Sequence, residues 1–241
     1  MLLVIGCGFV GETVAQSLEE NGHTIVRIDP ALNDNKISDY INDASGAVVA
    51  VPTPTVDGVC DDSAIRDVLP QLGDKKVLLK CTVPPDMLAT YPDNVTYNPE
   101  FLRAKTAKED FINQKTFVLG GRELDCYFWE QTFSYLHVKF MKTDRSTASM
   151  VKYMNNCWLA MKVAFFHEVF DNLNGSYNHA DMTKILATFD RIGHSHMDMN
   201  DEGKLGFGGH CFPKDTEAFL DYSNSEILRQ VIETNNKLLK G

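Results

Sequence analysis

The passage from Leu2 to Asp29 constrains this chain most. An apolar run, LLVI, is followed at once by Gly6-Cys7-Gly8-Phe9-Val10-Gly11, then by apolar residues at helical spacing (Val14, Ala15, Leu18) that stop near Asn21-Gly22. A second apolar run, Thr24 to Ile28, closes on Asp29, eighteen residues after Gly11. A bare GxGxxG pattern is weak, but between a strand and a helix, with an acid at that distance, it predicts a β-α-β unit that holds a dinucleotide. Gly6 permits the tight turn, Gly8 the approach of backbone to a pyrophosphate, and Gly11 the close packing of helix on strand, with helix N–H groups facing the anion. Phe9 and Val10 complete the cofactor-facing motif. Asp29 is placed to accept from the adenosine ribose hydroxyls, and Pro30, Ala31 and Leu32 supply no cation for a 2′-phosphate, so the expected cofactor is NAD.

Apolar runs and helical segments alternate to about residue 142. Ala47 to Val51 and Val77 to Cys81 read as fully buried parallel strands, and Phe117 to Leu119 and Val138 to Met141 as shorter ones. The first two lead into proline loops, VPTP and CTVPP, which set Thr53 and Thr82 outside strand ends, where α/β sheets bind ligands. A third loop, Asn98-Pro99-Glu100-Phe101-Leu102-Arg103, carries a carboxylate among apolar neighbours.

From Asp144 the pattern changes. Ser146 to Asn172 has no Pro or Gly, with Asp144 or Ser146 as N-cap and Gly175 as stop. This predicts one helix of about 40 Å at 1.5 Å per residue. Its middle is apolar nearly all round, as expected of a helix buried on most sides in a domain core or subunit interface. Lys152 and Asn156, four residues apart, share one face, and a buried lysine and amide need partners such as a substrate oxygen. A shorter helix follows at 181–188, then a loop with Arg191. The last helix is expected to turn Ile227, Leu228, Val231, Ile232 and Leu238 inward. The expected division is a dinucleotide-binding domain, 1–143, with a mostly parallel Rossmann-like sheet, and an all-helical domain, 144–241, built on the long helix.

The most reactive-looking segment is LGFGGHCFPKD, residues 205–215. It holds Cys211 on a glycine-rich turn stiffened by Pro213, beside Lys214 and ahead of a helix start read at Asp215, and both a cation and a helix N-terminus favour thiolate. Histidines 194, 196 and 210 lie near this loop as metal ligands, a base for Cys211 or polar loop residues. Their spacing carries no zinc signature, and no metal site is read.

Composition limits the partners. A formal charge of -10, from 33 acids against 23 Lys and Arg, with no dense basic tract, argues against nucleic acid. The six cysteines form no CxxC pair, which fits a reducing compartment, and neither a membrane-length apolar run nor a signal peptide is read, so a cytoplasmic protein is expected.

Seven pieces in order, GCGFVG, VPTP, CTVPP, NPEFLR, the Lys152/Asn156 pair, RIG and GFGGHCFPKD, resemble the UDP-glucose/GDP-mannose dehydrogenase family of nucleotide-sugar dehydrogenases. The resemblance implies two successive NAD-dependent oxidations of a sugar 6-hydroxyl to a carboxylate, as in polysaccharide precursor synthesis, with UDP-glucose first among the substrates. It makes Cys211 the nucleophile that forms a thiohemiacetal and then a thioester. Lys152 and Asn156 become oxyanion stabilisers, Thr82 and Asp215 position water, and Glu100 is the base of hydrolysis. Thr53, Thr82 and Lys214 join the cofactor contacts. Glu100, Phe101, Leu102, Arg103, Lys152, Asn156 and Gly208 line the substrate, and Arg191 reaches the partner subunit's substrate in a homodimer built on the long helix.

Departures from the family are equally specific. Ala104 stands where relatives carry a second glutamate, and His210 where a serine is usual. The stretch between Asp29 and Val48 is short, four extra residues separate Arg191 from Cys211, and the chain reads as a short form lacking the C-terminal nucleotide-binding domain. Two alternatives stay open beside the dehydrogenase: an NAD-holding remnant without turnover, and an enzyme for a smaller hydroxy compound.

Overall fold

The computed structural model describes residues 1–173, 176–199 and 204–240. The chain falls into two compact units, Met1–Pro54 with Cys60–Lys152, and Thr55–Val59 with Tyr153–Gly241.

The first unit is built on β1 (Leu2–Ile5), α1 (Phe9–Glu20), β2 (Ile25–Ile28), α2 (Ile37–Tyr40) and β3 (Gly46–Val49). A small hairpin, β4 (Thr55–Val56) and β5 (Val59–Cys60), precedes α3 (Ser63–Leu72), β6 (Lys76–Leu79), α4 (Pro85–Ala89) and β7 (Val95–Tyr97). Then come α5 (Ala107–Asn113), β8 (Thr116–Gly120), α6 (Glu123–Thr132) and β9 (Lys139–Thr143). Seven strands form one sheet in the order β2-β1-β3-β6-β7-β8-β9, parallel except where β7 meets β8. The order reverses between β1 and β3, which makes their carboxyl ends the crevice of a doubly wound sheet.

Burial follows from that arrangement. Every residue of β1 and β3 is buried because helices cover both faces, the reason these strands read as continuous apolar runs. Trp129, Phe117, Phe133 and Phe111 fill one side of the sheet, with the Phe117 and Phe133 ring centroids 5.0 Å apart. Each such ring contributes about 1.5–3 kcal/mol by leaving water. Strands β3 and β6 end two residues before the limits expected from their apolar runs. The ladder nevertheless continues for one bond beyond each, Ala50 N–H to the Ile5 carbonyl and Lys80 N–H to that of Val49. The short β7 and the hairpin were not expected.

Apart from the hairpin residues Thr55–Val59, the second unit's described elements are helical: the greater part of α7 (Arg145–Leu173), α8 (His179–Leu186), α9 (Phe212–Ser223) and α10 (Glu226–Leu238). The expected long helix is present. Its expected stop, Gly175, lies outside the described residues. Asn178 and Ser225 cap α8 and α10 by accepting from backbone N–H groups of their first turns. Ala160, Val163 and Ala164 of α7 pack with Phe207 and Val231.

Two expectations fail here. Met154, Trp158 and Phe165 are 54–59% exposed, so α7 has an open apolar stripe where burial on most sides was expected. On α10, Leu228, Val231 and Leu238 do turn inward, but Ile227 is 68% exposed while Thr234 and Asn235 are buried. Neighbouring helical residues point about 100° apart, so Ile227 and Leu228 cannot both face inward, and the α10 stripe runs through 228, 231, 235 and 238.

Candidate functional site

The glycine loop after β1 has the form its sequence demanded. Gly6 has φ +82°, and a Cβ there would lie 2.6 Å from the Ala50 carbonyl oxygen. A Cβ at Gly11 would meet the Gly6 oxygen at 1.9 Å, so α1 can approach β1 only without one. Gly8, the N-cap of α1, offers no side-chain acceptor to the helix start, and none of the described residues would touch a Cβ there. An uncapped helix start on a glycine turn is a cradle for an anion, and these residues fit a dinucleotide pyrophosphate.

Asp29 ties the loop to β2: its Oδ2 accepts from Cys7 N–H at 2.7 Å and its Oδ1 from Ala31 N–H at 2.9 Å. Burial and the Asp29 carboxylate push the Cys7 thiol up to about 11, which keeps a second anion out of the loop. Arg27, the nearest strand cation, is held by Glu12 and Glu19 at 2.8 and 2.7 Å. Thr53 and Thr82, both buried, are joined by a bond from the Thr53 hydroxyl to the Thr82 carbonyl at 2.9 Å.

A second cluster gathers beyond β6 and β7. Lys152 Nζ donates to the Glu100 carboxylate at 3.0 Å and to its backbone carbonyl at 2.5 Å, while Glu100 Oε2 accepts from Leu102 N–H at 2.8 Å. Lys152 is 3% exposed, so it does not snorkel to solvent. The exposed Phe101 ring lies 5.4 Å from this ammonium. Leu102 packs against the sheet core, whereas Arg103 turns away to an ion pair with Asp110.

Lys80, which the sequence reading passed over, is buried beside this cluster. It donates to Asn98 Oδ1 at 2.5 Å, and Asn98 donates in turn to the Val118 carbonyl. Burial lowers its value to about 8, opposed by Glu100 and aided by Lys152. The available signal was a lone cation at the end of the apolar run VLLK.

In the second unit Cys211 is the N-cap of α9, half-buried, with its carbonyl accepting from Asp215 N–H at 2.8 Å. The helix begins at Phe212, earlier than expected, because Pro213 is pre-set for a first turn. This puts the thiol at the helix start. Asp215, 1% exposed, accepts from Asn156 Nδ2 at 2.6 Å and from Lys214 Nζ at 2.5 Å. Lys214 thus serves a carboxylate, and its backbone carbonyl accepts from Thr55 at 2.9 Å. Burial first, then Asp215, pushes the Cys157 thiol up to about 12, so that neighbour stays protonated.

Arg191 lies exposed on its loop, which Lys162 fastens by donating to the Ile192 carbonyl at 2.8 Å. Gly208 is exposed, and Ala104 opens a 3₁₀ turn at the surface. His196 rests its ring 5.6 Å from that of Phe212, and among the described residues no His, Cys, Asp and Glu side chains group as for a metal ion. No helix among them is long and apolar enough to cross a membrane.

Residues 146–237 match the central-domain model of the UDP-glucose/GDP-mannose dehydrogenase family. The UDP-glucose 6-dehydrogenase AglM of Haloferax volcanii is 27% identical over 98% of this chain and 69% of its own length. A UDP-glucose 6-dehydrogenase of Rickettsia felis is 29% identical over 84% of this chain and 50% of its own. The chain therefore spans from half to about two thirds of these curated relatives. Among solved structures, a UDP-glucose dehydrogenase from the hyperthermophilic archaeon Pyrobaculum islandicum superposes with a TM-score of 0.87 at 25% identity, over 98% of this chain and 68% of that one. Residues 146–237 thus resemble the central domain of the UDP-glucose/GDP-mannose dehydrogenase family, and it is to this family's members that the chain is similar along its length.

Proposed function

We propose that this chain is an NAD-dependent dehydrogenase that oxidises the 6-hydroxyl of a nucleotide sugar, UDP-glucose first among them, to the carboxylate. The observation that carries the reading is Cys211 at the start of α9, one turn from a buried Asp215 held by Asn156 and Lys214. The glycine cradle of the first unit supports a dinucleotide, and Asp29 with Arg27 already engaged supports NAD over its 2′-phosphate.

NAD, when bound, accepts one hydride in each of the two oxidations. Between them the Cys211 thiolate adds to the aldehyde carbon, forming a C–S bond, and the resulting oxyanion is stabilised by donors. The family resemblance assigns that role to Lys152 and Asn156. Loss of the second hydride gives a thioester. Water then attacks the acyl carbon, Glu100 takes its proton, and the C–S bond breaks to return the thiolate.

The exposed stripe of Met154, Trp158 and Phe165 supports a homodimer through α7, with Arg191 serving the partner's substrate. Following absorbance of NADH with UDP-glucose tests the reading. Two NADH per sugar are expected, lost at least a thousandfold in Cys211→Ser. NAD binding with no turnover of UDP-glucose, GDP-mannose or UDP-N-acetyl sugars would identify a cofactor-holding remnant, and turnover only of a sugar without its nucleotide an enzyme for a smaller substrate.

A further inference from the structure

The loop that presents Cys211 is anchored at its root by two side chains that the proposed chemistry does not use. His167 of α7, 1% exposed, accepts from Gly206 N–H through Nδ1 at 2.8 Å, and its Nε2 lies 2.9 Å from the Asp198 carbonyl oxygen. An amide N–H can only donate and a carbonyl can only accept, so the two contacts fix the ring as the neutral Nε2–H tautomer. One residue on, Asn235 of α10 brackets Phe207: its Oδ1 accepts from Phe207 N–H at 2.6 Å and its Nδ2 donates to the Phe207 carbonyl at 3.0 Å.

The backbone there tolerates no substitute. Gly206 has φ +82°, and a Cβ on it would meet Asn235 Oδ1 at 2.7 Å. Phe207 is buried against Ala160, Val163, Ala164 and Val231. Beyond it the chain runs through Gly208 and Gly209, neither of which has a neighbour among the described residues within 4 Å of a Cβ position, and reaches the thiol at the start of α9. The loop is therefore fixed at Gly206–Phe207 and again at α9, with glycines between.

We propose that His167 is a positioning residue for Cys211, clamping the root of its loop only while the imidazole is neutral, so that acid releases the loop. A second ring proton would set N–H against the Gly206 N–H. Burial comes first in keeping the His167 value below the usual imidazole range; among the titratable groups of the described residues, His179 of α8 adds to that, and Asp198, which follows α8, opposes it through its carbonyl and its carboxylate. The clamp is thus whole above the ordinary imidazole value near 6.5 and is lost as pH falls below it.

The inference rests on Cys211 as nucleophile for its consequence, but the clamp is tested without turnover. Amide exchange at Gly206, corrected for intrinsic pH dependence, is measured by mass spectrometry or NMR in the intact protein, His167→Leu and His167→Asn, whose Oδ1 can still accept. Exchange is expected to be at least tenfold faster in His167→Leu than in His167→Asn. In the unsubstituted protein protection should fall as pH is taken progressively below the ordinary imidazole value near 6.5 to the acid limit of the folded state, while His167→Asn shows no such fall. Equal exchange in the two variants, or a flat profile in the unsubstituted protein, overturns the proposal. If His167→Leu does not fold, the pH comparison decides alone. The NADH assay then separates the two readings: a clamp present by exchange, with no loss of turnover in Cys211→Ser, would refute the nucleophile and leave the clamp standing.

Discussion

Each unit buries a carboxylate, and they hold it differently. In the first, Glu100 lies against Lys152, an ion pair with both members at or below 9% exposure and the carbonyl of the same glutamate as a further acceptor. In the second, Asp215 is more deeply buried, but its partners are a neutral amide, Asn156, and an ammonium whose side chain is 25% exposed. A sealed ion pair has no solvent to fall back on when one member is removed. A carboxylate shared between an amide and a partly wetted cation loses one bond and keeps the other. The first arrangement suits a rigidly held group, the second a group that keeps a partner when one is lost.

This contrast is open to direct attack. Lys152→Met leaves Glu100 buried without its cation and is expected to cost about 3–5 kcal/mol in urea unfolding. Asn156→Ala, which leaves Asp215 to Lys214, should cost only about 1–2 kcal/mol. Equal costs would erase the distinction.

Lys80 sharpens the picture of the first unit, because a second ammonium is buried near the same carboxylate. Its folded value of about 8 is depressed by burial below the unfolded value near 10.4, so between those limits the unfolded chain holds a proton that the folded one has released. Stability should therefore rise from pH 8 to 10.4, by about 2–3 kcal/mol, and Lys80→Met should flatten that rise. Denaturant midpoints across this range in both proteins check it.

The smallest expected effect on folding belongs to the open stripe of α7. Trp158→Glu should change unfolding free energy by less than about 0.5 kcal/mol, since the side chain is 57% exposed, yet, if the proposed homodimer forms through α7, shift its sedimenting mass to that of a monomer. A large loss of stability without change of mass would place Trp158 in the fold of its own unit.

Much of this molecule could be read from local sequence. The glycine loop was legible because a positive φ at Gly6 and the contact of α1 with β1 at Gly11 each demand the absence of a Cβ, a local requirement that leaves a residue-level mark. Strands β1, β3 and β6 were legible because burial on both faces writes an uninterrupted apolar run. The hairpin β4–β5 and the three-residue β7 were not, being too short for any periodicity to appear. Cys211, Lys152, Asn156, Asp215 and Glu100 could be singled out by type and motif, but their pairing could not: nothing in the chain order says that Lys152 meets Glu100, 52 residues away, or that Asn156 meets Asp215, 59 residues away.

The sequence by itself determined the doubly wound sheet, the long helix and the glycine turns, because these depend on backbone sterics and on spacings of a few residues. Only the tertiary structure decided which polar groups lose their water and who compensates them. It buried Lys80 and His167, opened Met154, Trp158 and Phe165, and turned Asn235 inward in place of Ile227. Desolvation and hydrogen-bond satisfaction are set by what packs from elsewhere in the chain, so they belong to the assembled fold and leave no local signature.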